Sequence, residues 1–124
     1  IPLVGVCRGM QLINCRFGGL LEAVDRQKHV ASKHNIRFKK SRFDTVLKGI
    51  SSVNSFHKFG ITEETLGSDL EVLATSDDQL IEALAHNLLP IVGIMWHPER
   101  SEVFTDMDKF LVMEIIDQTR RNSN

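Results

Sequence analysis

The sequence predicts an α/β domain, and three observations carry that reading. Residues 2–6 are a short apolar run that passes directly into a helical pattern. Residues 90–96 are a second, near-continuous apolar run, the kind that a sheet buries on both faces. Residues 105–121 then carry an apolar stripe at helical spacing. At 124 residues, with 42% hydrophobic and 25% charged side chains, the chain has the balance of one globular domain spanning residues 1–124.

In chain order, Pro2 suits the start of the first strand, since a proline there costs no ladder bond. Met10, Ile13, Asn14 and Phe17 recur at spacings of three and four and predict a helix, which Gly18-Gly19 ends by offering a positive-φ residue. Residues 20–33 are weakly patterned and read as irregular. Ile36 and Phe38 alternate with Arg37 and Lys39, which predicts a half-exposed strand over 35–40. Residues 70–74 and 80–85 read as two more strands, joined by a turn at Ser76-Asp77-Asp78 as an antiparallel hairpin or meander. In the last helix Thr105 caps the start, with Asp106 and Asp108 at the positive end and Arg120 and Arg121 at the negative end. Phe104, Met107, Leu111 and Ile115 form its apolar stripe.

Composition narrows the function. A net charge of −1 makes no global case for nucleic acid or a membrane surface. No apolar run exceeds four residues, against the ~18 of a membrane span. Cys7 and Cys15 do not make a disulfide framework, so the expected setting is reducing and cytoplasmic. His29 and His34 lack cysteine or carboxylate neighbours at ligand spacing, and no metal or cofactor is expected. The chain opens inside an apolar strand without an initiator Met or a signal peptide, which reads as a fragment whose N-terminal part is absent. The expectation is that a second polypeptide, or the rest of a longer chain, completes the sheet.

Gly5-Val6-Cys7-Arg8-Gly9 stands at the predicted strand-to-helix junction. A nucleophile between two such glycines can occupy a sharp, strained turn, where strand and helix pass without a Cβ clash. The following helix start supplies N–H groups for an oxyanion and favours a thiolate. Two readings of Cys7 stand here: a nucleophile, or an ordinary buried cysteine in a tight turn. His97 follows the second buried strand, and Glu99 lies two residues on, across a stiffening Pro98. A thiol needs a base and the base an orienter, so Cys7, His97 and Glu99 form a triad proposal. Cys15 reads as a small core residue inside the first helix, and His86 as a strand end with no evident partner.

Three segments then resemble the class I glutamine amidotransferases, in that family's order. Gly5-Val6-Cys7-Arg8-Gly9-Met10-Gln11 resembles the nucleophile elbow, Val53-Asn54-Ser55-Phe56-His57 the "V-N-S-x-H" segment, and Gly93-Ile94-Met95-Trp96-His97-Pro98-Glu99 the "G-x-x-x-H-P-E" segment. The wording is nearest to the branch of γ-glutamyl-γ-aminobutyrate hydrolases and γ-glutamyl peptidases. The resemblance implies a flavodoxin-like three-layer sandwich with a central, mostly parallel sheet, of which this chain is the C-terminal part. It implies Cys7 as nucleophile, His97 as base and acid, Glu99 as orienter, and a γ-glutamyl thioester hydrolysed by water. It further implies that Gln11 and the backbone around Ser55 and Phe56, with His57 beside them, hold the glutamyl part, and that the Arg8 N–H serves the oxyanion. Where the branch commonly reads "H-H-Q", this chain reads His57-Lys58-Phe59, which opens the question of the leaving group.

Several functions fit these residues. A γ-glutamyl amide hydrolase needs no partner, whereas a glutaminase part would deliver ammonia to a synthase partner. A hydrolase of a nucleotide-linked γ-glutamyl compound is suggested by Lys58 and by the tract of residues 26–42, which holds seven Lys or Arg, two His and no acid. That tract also fits a solvated face balanced by the acids downstream, or a surface for an acidic partner protein. A catalytically silent binding domain is the alternative from another class.

Overall fold

In a computed structural model of the chain, the structure describes residues 2–23, 32–39, 50–55 and 58–97, together with Met113 and Asp117, both helical. The elements in order are β1 (Leu3–Val6), α1 (Arg8–Arg16), β2 (Glu22–Ala23), β3 (Ser32–Phe38), β4 (Ile50–Ser55), β5 (Phe59–Gly60), β6 (Leu70–Ser76), β7 (Ile81–His86) and β8 (Ile91–Ile94). Six strands form one sheet in the order β1-β8-β7-β6-β3-β4, while β2 and β5 pair separately. Only β1 and β8 are parallel; the other pairings described are antiparallel. The hairpin expected over 70–85 is borne out as β6 and β7.

The sheet separates two apolar layers. Ile36, Leu73, Ala83, Ala85, Val92 and Trp96 pack on one side. Met10 and Ile13 of α1 pack with Ile61, Leu84 and Met95 on the other. Every residue of β7 is buried, as its place inside the sheet between β6 and β8 requires. The predicted helix over 105–121 lies outside the described residues except at Met113 and Asp117.

Helix α1 rests on a pair of glycines. Gly5 of β1 and Gly93 of β8 are register partners. A Cβ on Gly5 would meet Ile13 Cδ1 at 2.6 Å and the Gly9 carbonyl carbon at 2.7 Å; one on Gly93 would meet Met10 Cγ at 2.7 Å. The two glycines therefore make a smooth floor on which the helix sits. The paired glycines of the elbow are not equivalent, since a Cβ on Gly9 meets nothing within 4 Å. At its other end α1 is held by Asn14, which is fully buried. Asn14 Nδ2 donates to Leu20 O and Thr65 O at 3.0 Å each, and Oδ1 accepts from Gly67 N at 2.7 Å. Gly18, at φ +88°, turns the chain away after the helix, as expected.

Several expectations need correcting. Cys15 is exposed, because α1 turns Met10, Ile13 and Asn14 inward and leaves Leu12, Cys15 and Arg16 outside. His86 does have partners: Nδ1 accepts from Leu88 N at 3.0 Å and Leu89 N at 2.9 Å, and its ring lies 4.8 Å from that of Phe17. Residues 20–33 include β2 and the start of β3, and β4 is a six-residue strand. These weakly patterned stretches are strands because partners pair with their backbones, which outweighs intrinsic preference. Among the described residues no helix is long and apolar enough to cross a membrane, and no group of three or more His, Cys, Asp or Glu is placed to hold a metal ion.

Gly5→Ala and Gly93→Ala should each destabilise by about 1–3 kcal/mol through overpacking, while Gly9→Ala should stay within about 1 kcal/mol of the parent. Urea unfolding of the three variants in the full-length protein checks the order, and equal losses would remove the glycine floor as the reason.

Candidate active site

The parallel β1–β8 pair builds the site. Val6 is the register partner of Ile94, and Cys7 N donates to Ile94 O at 2.7 Å. Cys7 therefore leaves β1 at the same end at which Met95, Trp96 and His97 leave β8. Trp96 is buried and anchors that exit, while Cys7 and His97 are both half-buried. The antiparallel pairings that follow bring the end of β4 to this end too, so Ser55 closes its strand on the site side.

Cys7 has φ +51° and ψ −99°, a conformation that an L residue enters only under strain. Such strain costs on the order of 1–3 kcal/mol and is held by its surroundings. Here the surroundings are the bond to Ile94 on one side and the first helical bond, Gln11 N to Cys7 O at 3.0 Å, on the other. Cys7 is the residue before α1, so the first N–H groups of the helix, which lack helical acceptors, gather beside it. A developing oxyanion or a thiolate suits that position.

Gln11 lies one turn further along α1. Its Nε2 donates to Phe59 O at 3.2 Å and lies 3.9 Å from Met95 Sδ. It thus ties the segment after β4 to the elbow helix and to the strand carrying His97. Arg8 is the exposed first residue of α1. Glu99, Phe56 and His57 lie outside the described residues. Glu82, fully buried on β7, is a further ionisable group near the site; its main-chain oxygen accepts from Met95 N at 2.8 Å. The signal for it in the sequence is a lone acid inside the apolar residues 80–85.

This geometry agrees with the chain's likeness to known proteins. Residues 1–99 match the peptidase C26 family. The chain belongs to that family. This peptidase C26 chain is 41% identical over 100 residues to the γ-glutamyl-CDP-amidate hydrolase of Campylobacter jejuni, covering 81% of this chain and 44% of that protein. It is 37% identical over 105 residues to anthranilate synthase component 2 of Azospirillum brasilense, covering 82% of this chain and 52% of that protein. The crystal structure of a glutamine amidotransferase from Thermotoga maritima superimposes with a TM-score of 0.69 at 15% identity, covering 99% of this chain and 50% of that one. The fold is thus that of the class I glutamine amidotransferases, and the chain spans about half the length of these relatives.

Cys7 should be alkylated by iodoacetamide at neutral pH at least about tenfold faster than Cys15, although Cys15 is the more exposed thiol. Mass spectrometry of the two peptides over time checks this. Equal rates, or a faster Cys15, would remove the elbow's effect on the thiol.

Proposed function

We propose that this chain carries the catalytic corner of a cysteine hydrolase of γ-glutamyl amides. The observation that supports it most is the strained Cys7 at the start of α1, in register with the strand that leads to His97. In the reaction, His97 takes the proton of the Cys7 thiol as the sulfur attacks the γ-carbonyl carbon, and the oxyanion is met by N–H groups at the helix start, the Arg8 N–H among them. The carbon–nitrogen bond breaks, and the imidazolium of His97 gives its proton to the departing amine. Water then attacks the thioester while His97 takes a proton from it. Glutamate leaves, and that proton returns to the Cys7 sulfur. Glu99 keeps the imidazole in the tautomer that both steps need. Gln11 spends its donors on Phe59 and Met95, so its Oε1 is the atom offered to the ammonium of the glutamyl part. Likeness to anthranilate synthase component 2 favours a second reading, in which the same corner releases ammonia for a synthase partner.

The sheet is completed, in this proposal, along the edge of β1 that no described strand covers. Leu3 N donates to Pro90 O and Cys7 N to Ile94 O, so the parallel ladder turns the N–H and C=O groups of Val4 and Val6 away from β8. Leu3 is 49% and Leu12 65% exposed, and with Val4, Val6, Ile13 and Phe17 they line a groove of about 570 Å³. The occupant is a strand from the portion of the relatives that this chain does not span. The 124 residues alone should therefore self-associate or unfold without cooperativity; a monodisperse, cooperatively unfolding monomer of 14.0 kDa in light scattering would show the edge needs no cover.

His97→Ala should abolish thioester formation, whereas Glu99→Ala should keep measurable turnover, because an imidazole without its orienter still samples the productive tautomer. The comparison is kcat/KM for glutamate release from one γ-glutamyl amide. An equal fall in both variants would make Glu99 more than an orienter.

A further inference from the structure

Lys58 is an exposed cation beside the segment that Gln11 holds, and the proposed reaction leaves its chemistry unused. Its backbone neighbourhood is fixed from three directions. Phe59 O accepts from Gln11 Nε2 at 3.2 Å, Phe59 and Gly60 pair with Ala23 and Glu22, and Ile61 O accepts from Ile81 N at 2.8 Å. Gln11 is itself one helical turn from Cys7, so Lys58 is one residue from a main-chain group tethered to the elbow helix. Its side chain is exposed and makes no ion pair or hydrogen bond among the described residues. Lys39 shows the contrast: it too is exposed, but its ammonium is engaged by Glu63 at 2.9 Å. Arg8, next to Cys7, is a second exposed cation, unengaged among the described residues, on the helix side of the elbow. An ammonium with an uncommitted charge on a tethered backbone is arranged to receive an anion.

Resting on the hydrolase reading above, we infer that Lys58 is a specificity residue for the leaving group, selecting γ-glutamyl amides whose amine portion bears a phosphate. With the glutamyl part held, on that reading, against Gln11 and the half-buried Cys7, the substituent on the amide nitrogen is left toward solvent, where the Lys58 ammonium is also exposed. Ammonia, the leaving group of glutamine, offers that ammonium nothing to bind. A phosphate there forms a charge-assisted hydrogen bond, and such bonds discriminate by about ten- to a hundredfold. A cationic amine would be disfavoured by the same charge.

The test compares γ-glutamyl-ethanolamide with its O-phosphorylated form in the full-length protein, reading glutamate release. The wild type should prefer the phosphorylated compound by at least about tenfold in kcat/KM, and added salt should erode the preference. Lys58→Gln should bring the ratio close to one, and Lys58→Arg should retain most of it. A ratio unchanged in Lys58→Gln overturns the inference. So does an equal fall on both compounds, which would assign Lys58 to the α-carboxylate that they share. Hydrolysis of both by the wild type without preference overturns this inference and leaves the hydrolase reading standing. Hydrolysis of neither overturns both.

Discussion

Helix α1 sits on the paired glycines of β1 and β8, and the elbow, the strand exit and the N–H groups beside Cys7 all follow from that contact. Because Gly5 and Gly93 are register partners, the sheet has no side chains where the helix descends, and Met10 and Ile13 occupy that space. A helix held this close to its own preceding strand leaves the connecting residue no relaxed conformation, and that residue is Cys7. Asn14 secures the far end of the same helix, replacing a core side chain with three hydrogen bonds to main-chain groups. Both ends of α1 are pinned, so the elbow cannot relax by tilting the helix away.

The same arrangement explains why the site draws on distant parts of the chain. Cys7 and His97 are 90 positions apart in sequence but leave neighbouring parallel strands at one end. The segment after β4 reaches them from the far edge of the sheet and is caught by Gln11. Gln11 thus couples three pieces: the helix that follows Cys7, the strand end that leads to His97, and the segment bearing Lys58. A side chain in that position sets geometry as well as chemistry.

The open edge of β1 belongs to the same picture. The strand that leads to Cys7 is apolar on both faces and, among the described residues, is paired on one side only, with Leu3 and Leu12 left in water. A strained turn is held best on a strand with neighbours on both sides, and an uncovered apolar edge invites another strand. Among the described residues, the floor under α1 is supported from β8 alone.

Local chemistry was legible in the chain before any fold was known. The glycine pattern around Cys7, the apolar run leading to His97 and the helical spacing of Met10, Ile13 and Asn14 are all properties of near neighbours, set by sterics and periodicity. The motif wording was specific enough to place the chain in its family as well. Long-range packing settled which of those features hold the fold. Gly5 and Gly9 are symmetric in sequence, yet only Gly5 lies under a helix side chain. Cys15 looked like core, but the helix phase faces Asn14 inward and leaves the thiol outside. The strand β4 and the pairing of β2 with β5 had no apolar pattern to announce them, since backbone pairing with a remote partner leaves no mark on composition. Glu82 did leave a signal, a lone acid inside the apolar residues 80–85, but its surroundings are contributed by the strands on either side of β7, and adjacency of that kind exists only once the chain has folded.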